Sequence, residues 1–111
     1  MRQGKVFYKD DFAGILTETR DGEYIFAYDK MYIQRFPNQP ITFSMPVSEK
    51  VYRDNRLFPF FEGLIPEGWL LEIASKSWKL NQNDRMGLLL ACCRNCIGAV
   101  SVIPMTSEND E

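Results

Sequence analysis

Histidine is absent from the 111 residues of this chain. Histidine is the commonest general base in enzymes and the commonest metal ligand in proteins. Its absence excludes Ser-His-Asp and Cys-His catalytic arrangements. The thiol ligands that remain are three cysteines, Cys92, Cys93 and Cys96. A tetrahedral zinc site needs four ligands, so these three cannot complete one alone, and we expect no resident metal.

The cysteines lie within one short stretch, CCRNC. An odd number of cysteines in a chain without a secretory signal argues against a disulfide framework. Cys93 and Cys96 have the Cys-x-x-Cys spacing, but a redox motif normally opens a helix, whereas this pair is expected to close one. Packing in the core is the favoured interpretation. A metal shared with a partner and a redox role remain open.

A glycine-rich phosphate loop is also missing. Gly63 and Gly68 have the spacing of the first two glycines of a P-loop, but Trp69 follows where Lys-Ser/Thr is required. We therefore expect that the chain is not an enzyme and binds no cofactor.

Long apolar runs and an excess of positive charge are lacking as well. No apolar run approaches the ~18 residues of a membrane span, and the first residues, MRQGKVFYKDD, lack the apolar region of a signal peptide. A cytoplasmic location is expected. The net charge of −2 disfavours direct binding to nucleic acid.

Aromatic residues, in contrast, are plentiful, with 8 Phe, 5 Tyr and 2 Trp. Such residues either fill the core of a small domain or form a contact surface for another protein, and composition alone favours the core. The length predicts one domain, over residues 1–105. The acidic end, TSENDE at residues 106–111, is expected to be a flexible tail.

The first half of the chain has β-strand patterning. Strands are predicted at residues 6–8, 12–19, 23–29 and 41–45. Arg20-Asp21-Gly22 lies between the second and the third, and Asp-Gly between strand-like runs is a strong hairpin signal. Residues 48–55 are polar and are interpreted as a loop.

The second half has helical patterning. One or two helical turns are expected over residues 57–64, and a helix from Pro66 to about residue 78. A further helix is expected to start at Asn83 or Asp84, either of which can cap it. Its apolar stripe is predicted at Met86, Leu89, Leu90 and Cys93. Residues 97–103 then predict a last strand, closed by Pro104.

Trp69 raises a question of orientation. On a helix over residues 67–79, the core face includes Trp78, and Trp69 falls outside that face, beside Glu72. Trp69 is therefore expected to be at least half exposed. It either folds back against Phe60 or Phe61, or serves as an anchor for another protein.

Several stretches occur here in a characteristic order: EYIFAYD, ITFSMP, LFPFFEGLIPEG, DRMGLLL and CIGAVSVIP. Together they resemble the N-terminal domain of HipA-type serine/threonine kinases, the toxins of HipBA toxin–antitoxin systems. The resemblance runs from about residue 5 to residue 104. It implies an α+β fold, with a small, curved, mainly antiparallel sheet and two or three helices.

In that family a larger kinase core follows this domain, and the catalytic residues of phosphoryl transfer lie in that core. The resemblance thus implies a separate N-terminal lobe, similar to the small component of tripartite HipBST systems. Such a protein would be a non-catalytic antitoxin that binds and inhibits a HipT-like kinase lacking its own N-terminal lobe. The alternative is a scaffold that bridges the kinase to a HipB-like DNA-binding repressor.

Many family members carry Asn-Leu-Leu-Pro-Glu-Gly with an arginine shortly after. This chain has EGLIPEG there, followed by WLLE. The departure falls where the domain meets the kinase core in the family, so we place the kinase contact there. The predicted contact residues are Pro66, Glu67, Gly68, Trp69, Leu70 and Glu72. Neither direct contact with nucleic acid nor a membrane is expected.

Overall fold

The computed structural model describes residues 2–65, 84–92 and 99–105. Five strands form one sheet: β1 at Arg2–Tyr8, β2 at Asp11–Glu18, β3 at Tyr24–Tyr28, β4 at Tyr52–Asp54 and β5 at Val100–Pro104. Three helices are described: α1 at Lys30–Arg35, α2 at Pro59–Glu62 and α3 at Arg85–Cys92. The predicted α+β class is confirmed.

The sheet has the strand order β4-β3-β2-β1-β5, and every neighbouring pair is antiparallel. The last strand thus joins the first half of the chain at the free edge of β1, as predicted. A β-bulge between Val6 and Phe7 shifts the register of β1 against β2, and such bulges bend and twist a sheet.

The core lies on one face of this sheet. Alternate residues of the central strands are buried there, including Val6, Leu16 and Phe26, because side chains alternate between the two faces of a strand. Helix α3 packs on the same face through Met86, Leu88 and Leu89, each 0% exposed. Among the described residues, no helix has the length and hydropathy to cross a membrane.

The predicted hairpin is confirmed. The backbone N–H of Thr19 donates to the carbonyl of Glu23 at 2.8 Å, and that of Gly22 donates to Thr19 at 3.1 Å. Gly22 has φ +87°, a conformation that glycine adopts without steric cost.

The strand predicted at residues 41–45 is wrong. This segment forms turns, with the N–H of Met45 donating to the carbonyl of Thr42 at 3.1 Å. The hydroxyl of Tyr28 accepts a hydrogen bond from the N–H of Ile41 and donates one to the carbonyl of Met45. A tyrosine from another part of the chain thus satisfies backbone groups that a neighbouring strand would otherwise pair.

Two short elements were missed. Helix α1 begins after Asp29, whose carboxylate accepts hydrogen bonds from the N–H groups of Met31 and Tyr32. Strand β4 lies inside the segment interpreted as a loop, where Tyr52, Arg53 and Asp54 pair with β3. Its polar composition conceals it, since an edge strand needs few apolar residues.

The boundaries of the other strands differ slightly from the prediction. Strand β1 starts at Arg2 instead of residue 6. Pro104 ends β5, as predicted, and is itself paired with Gly4. In α3, Leu88 joins the predicted stripe as a fully buried residue, while Leu90 is partly buried. Cys93 lies outside the described residues.

Candidate partner-binding surface

The aromatic side chains form a connected network inside the protein. Phe26 lies 4.9 Å from Tyr28 and 5.8 Å from Phe61 between ring centroids, and Tyr28 stacks on Tyr32 at 5.9 Å. The network extends through further ring contacts to Phe36, Phe58 and Phe60. The core interpretation therefore holds for these rings, including the phenylalanines of α2.

Helix α2 lies directly before the predicted contact segment. Pro59 occupies its first turn, where a proline costs no hydrogen bond. Phe61 is 0% exposed and Ile65 is 2% exposed. The N–H of Ile65 donates to the carbonyl of Glu62 at 3.2 Å. The chain is therefore firmly anchored at residue 65, directly before the predicted contact residues.

Asp84 anchors the chain directly before α3. It caps α3, as predicted, because its carboxylate accepts a hydrogen bond from the N–H of Gly87 at 3.2 Å. The same carboxylate accepts two bonds from the guanidinium of Arg2, at 2.8 and 2.9 Å. Hydrogen bonding to Arg2 lowers the pKa of Asp84. Helix α3 is thus tied to the first strand by a two-pronged ion pair, which fixes direction as well as distance.

The ion pair continues into the sheet. Arg2 also donates to Glu18 at 2.7 Å, and the hydroxyl of Tyr24 donates to the other oxygen of Glu18 at 3.0 Å. The hydrogen bonds to Asp84 and, to a smaller extent, to Glu18 raise the pKa of Arg2. Burial, together with the bond to Glu18, raises the pKa of Tyr24 to about 12.

A second ion pair links the two anchors. The guanidinium of Arg85, at the start of α3, donates to the carboxylate of Glu62, at the end of α2, at 2.9 Å. The end of α2 and the start of α3 are therefore held next to each other. The segment between residues 65 and 84 thus begins and ends at neighbouring points.

The predicted contact residues fall in that segment. Pro66, Glu67, Gly68, Trp69, Leu70 and Glu72 all lie outside the described residues, as does Trp78. Their role stays a prediction, and so does the orientation of Trp69.

Another aromatic residue is exposed where the sequence did not indicate one. Phe43 is 97% exposed, at the turn that replaces the predicted strand. Its neighbours Ile41 and Met45 are buried, at 5% and 3% exposed. Burial raises the pKa of Tyr28, whose hydroxyl closes this turn, to about 12.

Two hollows border this region. One, of about 400 Å³, is lined by Tyr8, Asn38, Pro40 and Phe43, among others. The other, of about 370 Å³, is lined by Tyr28, Lys30, Ile33, Gln34 and Glu49. Within the described ranges, no three side chains of His, Cys, Asp or Glu come together as a metal site would require. Of the cysteines, Cys92 ends α3, while Cys93 and Cys96 lie outside the description.

Comparisons with known proteins agree with this architecture. The family model of the HipA N-terminal domain matches residues 4–103. The chain belongs to the HipA N-terminal domain family. A solved structure described as the N-terminal domain of HipA toxin has a TM-score of 0.74 and 29% sequence identity to it, covering 97% of this chain and 96% of that one. A protein of Haemophilus influenzae is 32% identical over 102 residues, which is 92% of each chain.

The match to the HipA N-terminal domain covers all the described strands and helices. Only Arg2 and Gln3 of β1 and Pro104 of β5 lie outside it. It also includes both the predicted contact segment and the turn that carries Phe43. The acidic residues 106–111 lie beyond it. Sequence reasoning missed Phe43 because Ile41, Phe43 and Met45 alternate as they would on one face of a strand.

Proposed function

We propose that this chain is a non-catalytic antitoxin, which binds and inhibits a HipT-like serine/threonine kinase that lacks its own N-terminal lobe. The observation that carries the proposal is the match to the HipA N-terminal domain along nearly the whole chain. The Haemophilus influenzae relative is matched over 92% of its own length, which leaves little room in it for a kinase core. The role would be that of HipS in tripartite HipBST systems.

The mechanism we propose is docking at the place where a fused N-terminal lobe would lie. Pro66 to Leu70 would then face the kinase cleft, with Glu67, Gly68 and Glu72 lining the contact. Trp69 would insert as a bulky anchor and obstruct nucleotide binding or lobe closure. An aromatic anchor suits this role, because it buries a large area at a small cost in side-chain entropy.

The segment between residues 65 and 84, which contains the predicted contact residues, has fixed ends, and these support the mechanism. Ile65 is held in the core, Asp84 is held by Arg2, and the pair of Glu62 with Arg85 joins the two ends. Anchors of this kind lower the entropy that a segment loses on binding, and this loss otherwise weakens affinity.

The test is autophosphorylation of a purified HipT-like kinase, titrated with wild type, Trp69→Ala and Trp69→Phe. We expect wild type to inhibit. Trp69→Ala should need about tenfold or more protein for half inhibition, the usual effect of removing an interface hot spot. Trp69→Phe, which keeps a large ring, should lie between the two.

The same titration also distinguishes the antitoxin from the alternative function, a scaffold. A scaffold that bridges the kinase to a HipB-like repressor would bind the kinase on a sizing column but leave its phosphorylation unchanged or raised. It would alter instead the complex that assembles on operator DNA. Equal inhibition by wild type and Trp69→Ala would refute the role given to Trp69 while leaving the antitoxin function intact.

A further inference from the structure

Phe43 is an unusual surface residue. At 97% exposed, it is the most solvated of the large apolar side chains in the described part of the chain, ahead of Met31 at 61%. Such a ring forfeits the stabilisation that burial would give it. Single exposed apolar residues are common. A ring that is almost fully exposed at the apex of a turn, however, is positioned to enter a pocket of another protein, and aromatic residues are enriched at protein interfaces.

The backbone on both sides of Phe43 is held in place. Ile41 and Met45 are buried in the core, and the hydroxyl of Tyr28 bonds to the backbone of both. The bond between the N–H of Met45 and the carbonyl of Thr42 closes the turn. The exposure of Phe43 is therefore built into the fold, and little backbone freedom remains to be lost when the ring binds.

The surroundings of Phe43 indicate the class of partner. The stretch from residue 37 to residue 48, PNQPITFSMPVS, contains no charged side chain. Surfaces that bind anionic lipid or nucleic acid carry lysine and arginine around their apolar residues. A projecting ring beside an uncharged hollow of about 400 Å³ fits instead a protein surface with an apolar pocket.

The position of Phe43 relates it to the proposed kinase contact. The turn is held by Tyr28, and α2, which leads into that contact, is held by Phe61. Phe26 touches both rings, at centroid distances of 4.9 and 5.8 Å. The turn and α2 thus rest on one aromatic cluster, and a partner that covers a standard interface of about 800 Å² per side can contact both.

We infer that Phe43 is a second anchor, which inserts into an apolar pocket of the kinase apart from the contact made by Trp69. The inference rests on the proposed function. Phe43 contributes to affinity alone, whereas Trp69 contributes to affinity and also obstructs the kinase once the complex has formed. The two side chains therefore differ in what their removal changes.

The experiment measures binding of the purified HipT-like kinase to wild type, Phe43→Ser, Met31→Ser and Trp69→Ala by calorimetry. Phe43→Ser should raise the Kd about tenfold or more, mainly through faster dissociation. Met31→Ser removes another exposed apolar side chain, on α1, and should stay within about twofold. At saturating concentration, Phe43→Ser should still inhibit the kinase fully.

Thermal unfolding provides the folding control. Because the ring of Phe43 is solvated, Phe43→Ser should melt within about 2 °C of wild type. A larger fall would mean that Phe43 supports the fold, and this would overturn the inference. An equal loss of affinity in Met31→Ser would do the same.

Two further outcomes separate this inference from the proposed function. If wild type and Phe43→Ser bind the kinase equally well, the second anchor is refuted and the antitoxin function stands. If wild type does not bind the kinase at all, the proposed function fails and the inference fails with it.

Discussion

Gly14 allows the two central strands to lie close together at one point. A Cβ atom there would overlap the backbone carbonyl oxygen of Ala27 and approach the Cα of Tyr28 to 3.0 Å. Both obstacles are backbone atoms of β3, so they cannot move without disturbing the pairing of β2 with β3. Glycine is therefore required by space alone at this position.

Gly14→Ala should lower the free energy of unfolding by about 2 kcal/mol or more, because an added methyl forces a backbone shift. Gly63→Ala is the matched control. Gly63 has φ −68° and ψ −14°, and a Cβ there meets its nearest atoms at 3.5 and 3.6 Å. The free energy of unfolding of the Gly63→Ala variant should be unchanged or raised by about 0.5 kcal/mol. Urea denaturation measures both, and similar losses in the two variants would contradict the account.

At the scale of elements, α3 depends on Asp84 for its cap and for its attachment to β1. Asparagine can replace the cap but cannot accept the two charged bonds from Arg2, whereas alanine can do neither. A pair of variants at this position therefore separates capping from the ion pair.

Asp84→Asn should lower the free energy of unfolding at pH 7 by about 1 kcal/mol, and Asp84→Ala by about 1 kcal/mol more. Because folding lowers the pKa of Asp84, the stabilisation by its charge is complete above the ordinary aspartate pKa of about 3.9. It is lost as the pH falls from there through the lowered pKa. Denaturation at pH 7 and near pH 3 should show wild type and Asp84→Asn converging in acid. A gap that stays constant with pH would rule out the ion pair as its source.

The elements differ in how far the sequence predicts them. The hairpin at Asp21-Gly22 and the cap at Asp84 were predicted correctly, because both signals lie within a few residues of the structure they specify. The turn around Phe43 was not, because the hydroxyl of Tyr28 provides hydrogen bonds from a distant position. Helix α1 was missed although Asp29 offers a local cap.

The same distinction applies to the candidate surface. The alternation of Ile41, Phe43 and Met45 predicts a strand with all three on one face, so the exposure of Phe43 could not be read from it. Its exposure follows from where Tyr28 places the turn. Trp69, by contrast, was selected from helical periodicity and from the place of its turn in the family, and its role remains a prediction.

At the scale of the whole molecule, the aromatic network and the sheet form one platform that holds the turn of Phe43 and helix α2. Strands β1, β2 and β3 each have neighbours on both sides, while β4 and β5 lie at the edges. Strand β4 has three residues, and Arg53 and Asp54 in it are exposed. Local opening should therefore start at β4, and the centre of the sheet should open last.

Native-state hydrogen exchange tests this order. We expect the amides of β2 to exchange with the free energy of global unfolding, because Ala13 and Leu16 in this strand are 0% exposed. The amides of β4 should exchange at least about a hundredfold faster. Binding of the kinase should slow exchange in the turn around Phe43. It should also slow exchange in β2, because a partner that binds only the folded state raises the free energy of global unfolding. If β4 were as well protected as β2, the sheet would open as one unit and the expected order of opening would be wrong.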